Sequence, residues 1–301
     1  MSEKYAFIEA EYAAAAAGNG PAPALSQMCS WLEVSRSGFY EWRTRPESAN
    51  ARRRNDLRLL ITKAFEDSGG TYGYRRVAAQ LARWGVAAGL ELVRVLMREL
   101  GLVPCQPRPW RPVTTQPGAP GKIPDLVGRD FSATVPGQKM VGDITYIPTW
   151  EGWLYLASVI DCATRKVVGW AMGDNYRTPL ISSAIRMAAR NLSLPDGAVF
   201  HSDRGSNYMS AEFAGVLEDL RIRQSAGRTG TCFDNALAES FNAAVKVERV
   251  HRTVYPTRKK ARDDVARYIE VHYNRKRLHS GIGYRAPQEV LDDFLDSLAA
   301  A

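Results

Sequence analysis

The order of apolar runs after residue 124 constrains the fold more than any other feature of this sequence. Three runs rich in β-branched and aromatic residues follow one another across short turns, at residues 139–147, 153–160 and 166–172. This spacing predicts an antiparallel meander of three strands. Helical and strand patterns then alternate, and they predict helices at 179–192, 211–220, 233–250 and 258–273 and short strands at 197–201 and 221–224.

This order of elements predicts an α/β fold in which a mixed sheet is flanked by helices. Three antiparallel strands, alternating helices and strands, and closing helices form the order of a ribonuclease-H-like core. We place the core at residues 125–292 and a C-terminal tail at 293–301. Residues 104–124 contain seven prolines interleaved with Arg and Lys, which predicts an extended, semi-rigid linker before the core.

The first third of the chain reads as small all-α modules. We expect a flexible N-terminus at residues 1–20 and a helix-turn-helix-like segment at 21–48, with Ser35 as an N-cap. Residues 50–103 predict three short helices joined by tight turns. Such an arrangement suits a helix-turn-helix DNA-binding module, although a plain helical bundle packed against the rest of the chain has the same pattern.

The charge balance favours a polyanionic partner. Lys and Arg number 40 against 32 Asp and Glu, a formal net charge of +8, which favours nucleic acid before a membrane. No apolar run reaches the ~18 residues of a membrane helix, and the N-terminus lacks a secretion signal. The four cysteines form no CxxC pair, so we expect a reduced, cytoplasmic protein, and His272 and His279 have no partner for a zinc knuckle.

Three carboxylates stand where acids are unusual. Asp143 lies in the middle of the first predicted strand, where a buried charge needs a cation. Asp203 ends the strand segment 198–203, at the strand end where ligands bind in open α/β sheets, and Glu239 lies on the helix after the loop at 227–230. Together they could hold two divalent ions for in-line attack on a phosphodiester. The 35-residue gap between Asp203 and Glu239 means little alone, because acids are common in this chain.

The sequence motifs around these three acids resemble those of a known protein family. They are Asp143-Ile-Thr-Tyr146, His201-Ser-Asp-Arg-Gly205, Asp234-Asn-Ala236 with Ala238-Glu-Ser-Phe241, and Tyr273-Asn-Arg275 with Leu278-His-Ser280 and Gly283-Tyr284. Further matching motifs in the N-terminal helical part of the chain are Val34-Ser-Arg-Ser-Gly-Phe-Tyr40, Tyr72-Gly-Tyr-Arg75 and Met97-Arg-Glu-Leu-Gly101. The chain thus resembles, from about residue 22 to 292, the DDE transposases of bacterial insertion sequences, a group related to retroviral integrases.

The resemblance implies metal-dependent DNA strand cleavage and strand transfer at insertion-sequence ends. Asp143, Asp203 and Glu239 would be the catalytic and metal-binding triad, with two Mg²⁺ or Mn²⁺ ions as cofactors. Implied partners are transposon-end and target DNA, further copies of the chain on paired ends, and the small helix-turn-helix protein of an upstream reading frame. The implied location is the bacterial nucleoid. The segment at 86–91 departs from the family pattern, because it lacks the basic residues expected before the third helix of residues 52–102.

Several other residues are candidates for supporting roles. Asn242 and Lys246 are three and seven residues after Glu239, on one helix face, and we expect both to contact DNA. Arg204 and Asn207 are expected to contact phosphates, unless they are merely solvated. His201 is expected to orient Asp203 from the second coordination shell, and polarisation of a water molecule is the alternative.

Three further sites have ordinary structural interpretations. Asp161 ends the second strand and is expected to form a turn. Asp234 is expected to cap the helix that carries Glu239. The basic run at residues 275–277 is either a phosphate patch or a solvated face. Two other functions fit the same pattern: a ribonuclease H or junction nuclease, and a DNA-binding relic without transposition activity.

Overall fold

The computed structural model describes residues 1–17, 23–106, 123–227 and 232–300. Most of the predicted linker, residues 107–122, therefore lies outside the described residues. The chain divides into two units, Met1–Leu60 and Ile61–Ala301. Within the described ranges, no helix has the length and apolar character needed to cross a membrane.

The first unit contains three helices and the first part of a fourth, α4 (Ala49–Asp67). The three are α1 (Ser2–Ala16), α2 (Leu25–Trp31) and α3 (Arg36–Thr44). The expectation of flexibility is wrong for α1, because Tyr5 and Ile8 lie one helical turn apart and are buried in a cluster with residues of α2 and α3. The predicted cap is confirmed, since the Ser35 Oγ accepts a 2.8 Å hydrogen bond from the Gly38 backbone N–H.

Three helices follow at the predicted positions: α4 (Ala49–Asp67), α5 (Tyr74–Arg83) and α6 (Leu90–Glu99). α5 and α6 contact each other, and their apolar stripes are buried. Val77 and Leu81 of α5 and Val93 and Leu96 of α6 are fully buried. This is the stripe expected from residues repeating at helical spacing.

The second unit contains one mixed sheet of five strands. These are β1 (Lys139–Thr149), β2 (Gly152–Asp161), β3 (Val167–Gly173), β4 (Val199–Ser202) and β5 (Arg223–Ala226), in the order β3-β2-β1-β4-β5. β1, β2 and β3 pair antiparallel, whereas β4 pairs parallel with β1 and β5 pairs parallel with β4. The predicted meander and the ribonuclease-H-like order are confirmed.

Helices cover both faces of this sheet. α7 (Thr178–Asn191) and α8 (Ala211–Asp219) pack against the face that carries Met140 and Phe200. α9 (Ala236–Glu248) and α10 (Arg258–Arg267) pack against the face that carries Val141 and Ile147. The two faces follow from the period-2 alternation of β1.

The C-terminal part departs from the predicted helix bounds. The helix predicted to reach Tyr273 continues beyond α10 as a π-helix, Tyr268–Tyr273. A further helix, α11 (Pro287–Ala299), occupies most of the predicted tail, so that expectation is wrong. Leu291 of α11 is buried in the core, which explains why the segment is ordered as a helix.

The segment that precedes α11 is docked on the helical module. The Tyr72 hydroxyl donates to the carbonyl of Lys276 (3.1 Å) and accepts from the backbone N–H of Leu278 (2.8 Å). The Arg76 Nε donates to the Leu278 carbonyl over 3.0 Å. The Tyr72–Arg75 motif thus lies at a contact with the core. Such a contact is what a helical bundle packed against the rest of the chain would make.

A buried ionic cluster lies beside this contact and is formed by Arg76, Glu248, Tyr268 and Arg277, here called the Glu248 cluster. The Glu248 carboxylate accepts from the Arg277 Nη2 (2.7 Å) and the Tyr268 hydroxyl (2.7 Å), and the Arg76 Nη1 lies 3.8 Å away. Burial alone would raise the pKa of Glu248, but these donors hold it below its ordinary value. Arg277 is only 7% exposed, so both interpretations of the basic run are wrong at this residue.

Candidate active site

Asp143 lies where β4 separates from β1. The parallel pairing of these strands covers only Lys139–Val141 of β1, while the antiparallel pairing with β2 continues past Asp143. Asp143 is two residues from Val141 along the strand, so both side chains are on the sheet face that α9 covers. At Gly142 a Cβ atom would lie 2.4 Å from the Phe200 ring, so only glycine fits between the Asp143 backbone and the core.

Both oxygens of the Asp143 carboxylate have donors. The backbone N–H of Ile144 donates to Oδ1 and the Asn242 side-chain amide donates to Oδ2, each over 2.8 Å. Asn242 is 8% exposed, and its own Oδ1 is buried without a hydrogen-bond partner among the described residues. This burial argues against the predicted DNA contact and gives Asn242 the role of holding Asp143.

Asp203 and Glu239 approach the same region from other elements. Asp203 follows the last residue of β4, and its Oδ1 accepts from the Gly205 backbone N–H over 3.0 Å. Glu239 is exposed in the first turn of α9. Burial, together with the charges of Asp203 and Glu239, raises the pKa of Asp143 to about 7. Partial removal from water and the charge of Asp203 also raise the pKa of Glu239. The three carboxylates therefore repel one another.

The three carboxylates suit a hard divalent cation, but they are not gathered into a complete coordination site. All three candidates offer carboxylate oxygens, which Mg²⁺ and Mn²⁺ prefer. In the part of the chain that the structure describes, no group of three or more Asp, Glu, His or Cys side chains is close enough to hold a metal ion. Mg²⁺ is commonly bound by few carboxylates, with water and substrate phosphates completing its shell, so an open arrangement of carboxylates fits this ion.

His201 holds the turn that leads into α9. The buried ring lies 2.8 Å from the Asp234 carbonyl through Nε2 and 2.8 Å from the Ser225 Oγ through Nδ1. Because a carbonyl only accepts, Nε2 carries the proton, and burial lowers the pKa of His201 so that the ring stays neutral. The contacts of His201 therefore support the start of α9 rather than the Asp203 side chain.

The capping prediction for Asp234 is wrong. The N-cap of α9 is Asn235, which makes no side-chain cap hydrogen bond, and Asp234 instead accepts from the Arg129 Nε over 2.6 Å. Asn235 donates from its side chain to the Gly142 carbonyl over 3.1 Å, which ties α9 to β1 next to Asp143. Sequence reasoning missed Asn235, Ser225 and Arg129, because their partners are distant in the chain.

The predicted phosphate contacts have different environments. The Arg204 guanidinium donates to the carbonyls of Gly227 (2.7 Å) and Ile123 (2.9 Å), so it holds two loops together. Asn207 lies half-exposed in the turn after Asp203. The Lys246 Nζ is 4.5 Å from the centroid of the Tyr146 ring; burial lowers its pKa while the charge of Asp143 opposes that shift.

Asp161 has the structural role predicted for it. Its Oδ1 accepts from the Gly137 backbone N–H, and its Oδ2 accepts from the backbone N–H and the hydroxyl of Thr164, all within 2.8 Å. This fully buried carboxylate closes the turn between β2 and β3. It is therefore distinct from the three candidate metal ligands.

Comparison with known proteins agrees with this arrangement. Two family models, both described as an integrase core domain, match residues 133–232 and 220–287, and an HTH-like domain matches residues 52–110. The transposase InsF for insertion sequence IS3A of Escherichia coli K12 is 35% identical over 288 residues, which are 95% of this chain and 97% of InsF. The chain belongs to the IS3 family of transposases.

Other proteins are also similar to this transposase. The 31 kDa protein of insertion element IS600 from Shigella sonnei is 36% identical over 260 residues, 86% of this chain and 96% of that protein. Among solved structures, the magnesium complex of the HTLV-2 integrase catalytic core (dimeric form) is 17% identical, with a TM-score of 0.40 over 52% of this chain and 97% of that core. Family membership makes this IS3-family transposase a polynucleotidyl transferase. The first core match contains Asp143 and Asp203, and the second contains Glu239.

Proposed function

We propose that this transposase cleaves and joins DNA strands at insertion-sequence ends, with Asp143, Asp203 and Glu239 as its catalytic metal ligands. The observation that carries this proposal is the state of Asp143. Its carboxylate is held by two hydrogen bonds while two other carboxylates repel it. Mutual repulsion is costly unless a cation compensates it, so such a group is suited to bind metal rather than to stabilise the fold.

The chain would hold two Mg²⁺ or Mn²⁺ ions through these three residues. When bound, two such ions stabilise the charge that develops on the entering and leaving oxygens of an in-line displacement. Asp143 belongs to a paired strand, whereas Asp203 follows the end of β4 and Glu239 lies on α9, both with exposed side chains. Lys246 and Asn207 would hold DNA phosphates around them, whereas Arg204 would act through the two loops that it holds together.

The partners of this activity would be transposon-end DNA, target DNA and further copies of the chain on paired ends. The small protein of an upstream reading frame would be an additional partner. The HTH-like module would bring end DNA to the core, because Tyr72 and Arg76 connect that module to the element that precedes α11. This activity would take place in the cytoplasm, at the nucleoid.

A strand-transfer assay tests the proposal. Purified protein is incubated with duplexes of the element's own ends, a supercoiled target and Mg²⁺. We expect joined products with the wild type and none with Asp143→Asn, Asp203→Asn or Glu239→Gln. Asp174→Asn, an exposed acid after β3, is the matched control and should stay active. Cleavage of RNA–DNA hybrids without joining would favour the nuclease, and DNA binding without chemistry would favour the relic.

A further inference from the structure

Three large aromatic side chains stand exposed on the hairpin that joins β1 and β2. Tyr146, Trp150 and Trp153 are 52%, 77% and 48% exposed. The rings of Tyr146 and Trp153 meet edge to face, with their centroids 4.9 Å apart. Both residues belong to paired strands, so the rings are held on a rigid support. We call these three residues the hairpin aromatics.

Basic groups border the hairpin aromatics on two sides. The Lys246 Nζ lies 4.5 Å from the Tyr146 ring centroid. The Arg258 Nε donates to the Trp153 carbonyl over 3.1 Å, which places this guanidinium beside the backbone of Trp153. Aromatic rings interleaved with cations are the combination by which proteins bind single-stranded nucleic acid, with bases on the rings and phosphates on the cations.

The hairpin aromatics also lie close to the proposed chemistry. Tyr146 is three residues beyond Asp143 on the same strand, a rise of roughly 10 Å, and its side chain leaves the opposite face of that strand. Along a DNA strand this corresponds to one or two nucleotides from the reacting phosphate. Lys246 connects the two places, because its ammonium group contacts Tyr146 and interacts with the charge of Asp143.

We propose that Tyr146, Trp153 and Lys246 form a binding site for one unpaired DNA nucleotide, with the base stacked on the aromatic rings and the phosphate on Lys246. This inference rests on the proposed function, since it gives that active site a preference for ends whose terminal bases are unpaired. A base within a duplex has no free face to stack on the indole. The site therefore selects DNA whose strands are separated next to the scissile bond.

The test measures stacking directly, without any chemical step. A short duplex carries a two-nucleotide single-stranded extension that contains 2-aminopurine, whose fluorescence falls when it stacks on an aromatic ring. Binding is followed in Ca²⁺ with the full chain. We expect quenching by the wild type, and an affinity for the extended duplex at least about fivefold above that for the blunt duplex.

Variants assign the effect to the hairpin. Trp153→Ala should abolish the quenching and the preference for the extension, whereas Trp153→Phe should keep most of both because a ring remains. Trp84→Ala is the matched control: that indole also has a lysine near it, with the Lys63 Nζ at 6.0 Å, but lies on the helical module. Its quenching should equal that of the wild type. Circular dichroism confirms that each variant is folded.

The outcomes separate this inference from the proposed function. Quenching that persists in Trp153→Ala, or that Trp84→Ala also loses, overturns the nucleotide site even when strand transfer is intact. If Trp150→Ala and Trp153→Ala instead convert a dimer to a monomer in sedimentation while quenching persists, the hairpin binds a second copy of the chain and the nucleotide site is refuted. Hairpin-dependent quenching in a wild type that never joins strands supports the site and contradicts the proposed function.

Discussion

The side-chain amide of Asn242 donates a hydrogen bond to Oδ2 of Asp143 over 2.8 Å. The donor comes from α9, three residues after Glu239, and the acceptor comes from β1. A hydrogen bond to an ionised carboxylate favours the ionised form. Asn242 therefore opposes the effect of burial on Asp143 and keeps the carboxylate available for a cation near neutral pH.

Loss of this amide should move the pH dependence of catalysis. Without this hydrogen bond the pKa of Asp143 rises further above about 7. In Asn242→Ala, the part of the pH profile in which the strand-transfer rate increases with pH should therefore move to higher pH. The profile is measured at fixed, subsaturating Mg²⁺. Binding of end DNA in Ca²⁺ should keep the salt dependence of the wild type. An unchanged pH profile of strand transfer, together with a weaker salt dependence of DNA binding, would show that Asn242 contacts DNA instead.

Asp143 should destabilise the metal-free protein at alkaline pH. Its folded-state pKa of about 7 lies above the ordinary value of 3.8, so the folded state retains a proton that the unfolded chain has lost. Stability therefore falls as pH rises from about 4 to 7, and Asp143→Asn should increase the free energy of unfolding by up to about 4 kcal/mol at pH 8.

Urea denaturation in a chelator at pH 8 and pH 5 measures this difference. The gap between variant and wild type should be smaller at pH 5. Added Mg²⁺ should stabilise the wild type alone, because only it retains the full set of proposed ligands. A variant less stable than the wild type at pH 8 in chelator would show that Asp143 is a structural residue.

Lys246 should contribute a phosphate contact. Lys246→Ala should weaken end-DNA binding and reduce the slope of log affinity against log salt by about 0.9. Lys246→Glu should bind more weakly still, because it places a like charge beside the phosphate. The measurement is a salt titration in Ca²⁺, with Lys259→Ala as the control because that exposed lysine pairs with Asp263 on α10. Identical slopes for wild type and Lys246→Ala would make Lys246 a solvated residue.

The Glu248 cluster should be needed for stability. Arg277→Met leaves the buried Glu248 carboxylate without its main partner, and we expect a loss of about 3–5 kcal/mol in the free energy of unfolding. Asp293→Asn, which breaks the exposed pair with Arg285, should cost less than about 1 kcal/mol. Replacing Glu248 and Arg277 together by apolar residues should cost less than Arg277→Met alone. Equal losses at the buried and exposed pairs would contradict the structural role of the cluster.

Local sequence patterns predicted the helices and strands. The side-chain roles that the sequence did not predict depend on hydrogen-bond partners far away in the chain. The strands, the Ser35 cap and the Asp161 turn each depend on residues within a few positions, so the sequence contains their signals. The partners of Tyr72 are more than 200 residues away, and no periodicity records such a contact. Helical spacing did single out Asn242, but an amide can donate to a carboxylate as readily as to a phosphate, and only the fold shows which acceptor is near.

The docking of the helical module on the core constrains how such elements can diversify. Tyr72 and Arg76 contact backbone groups of Lys276 and Leu278, and Arg76 also approaches the buried Glu248 carboxylate. A recombinant that acquires a foreign helical module without this Tyr and Arg would leave a buried acid short of a counter-charge. The two halves should therefore be inherited as a matched pair, and chimaeras between distant relatives should fold only when the crossover preserves both sides of this contact.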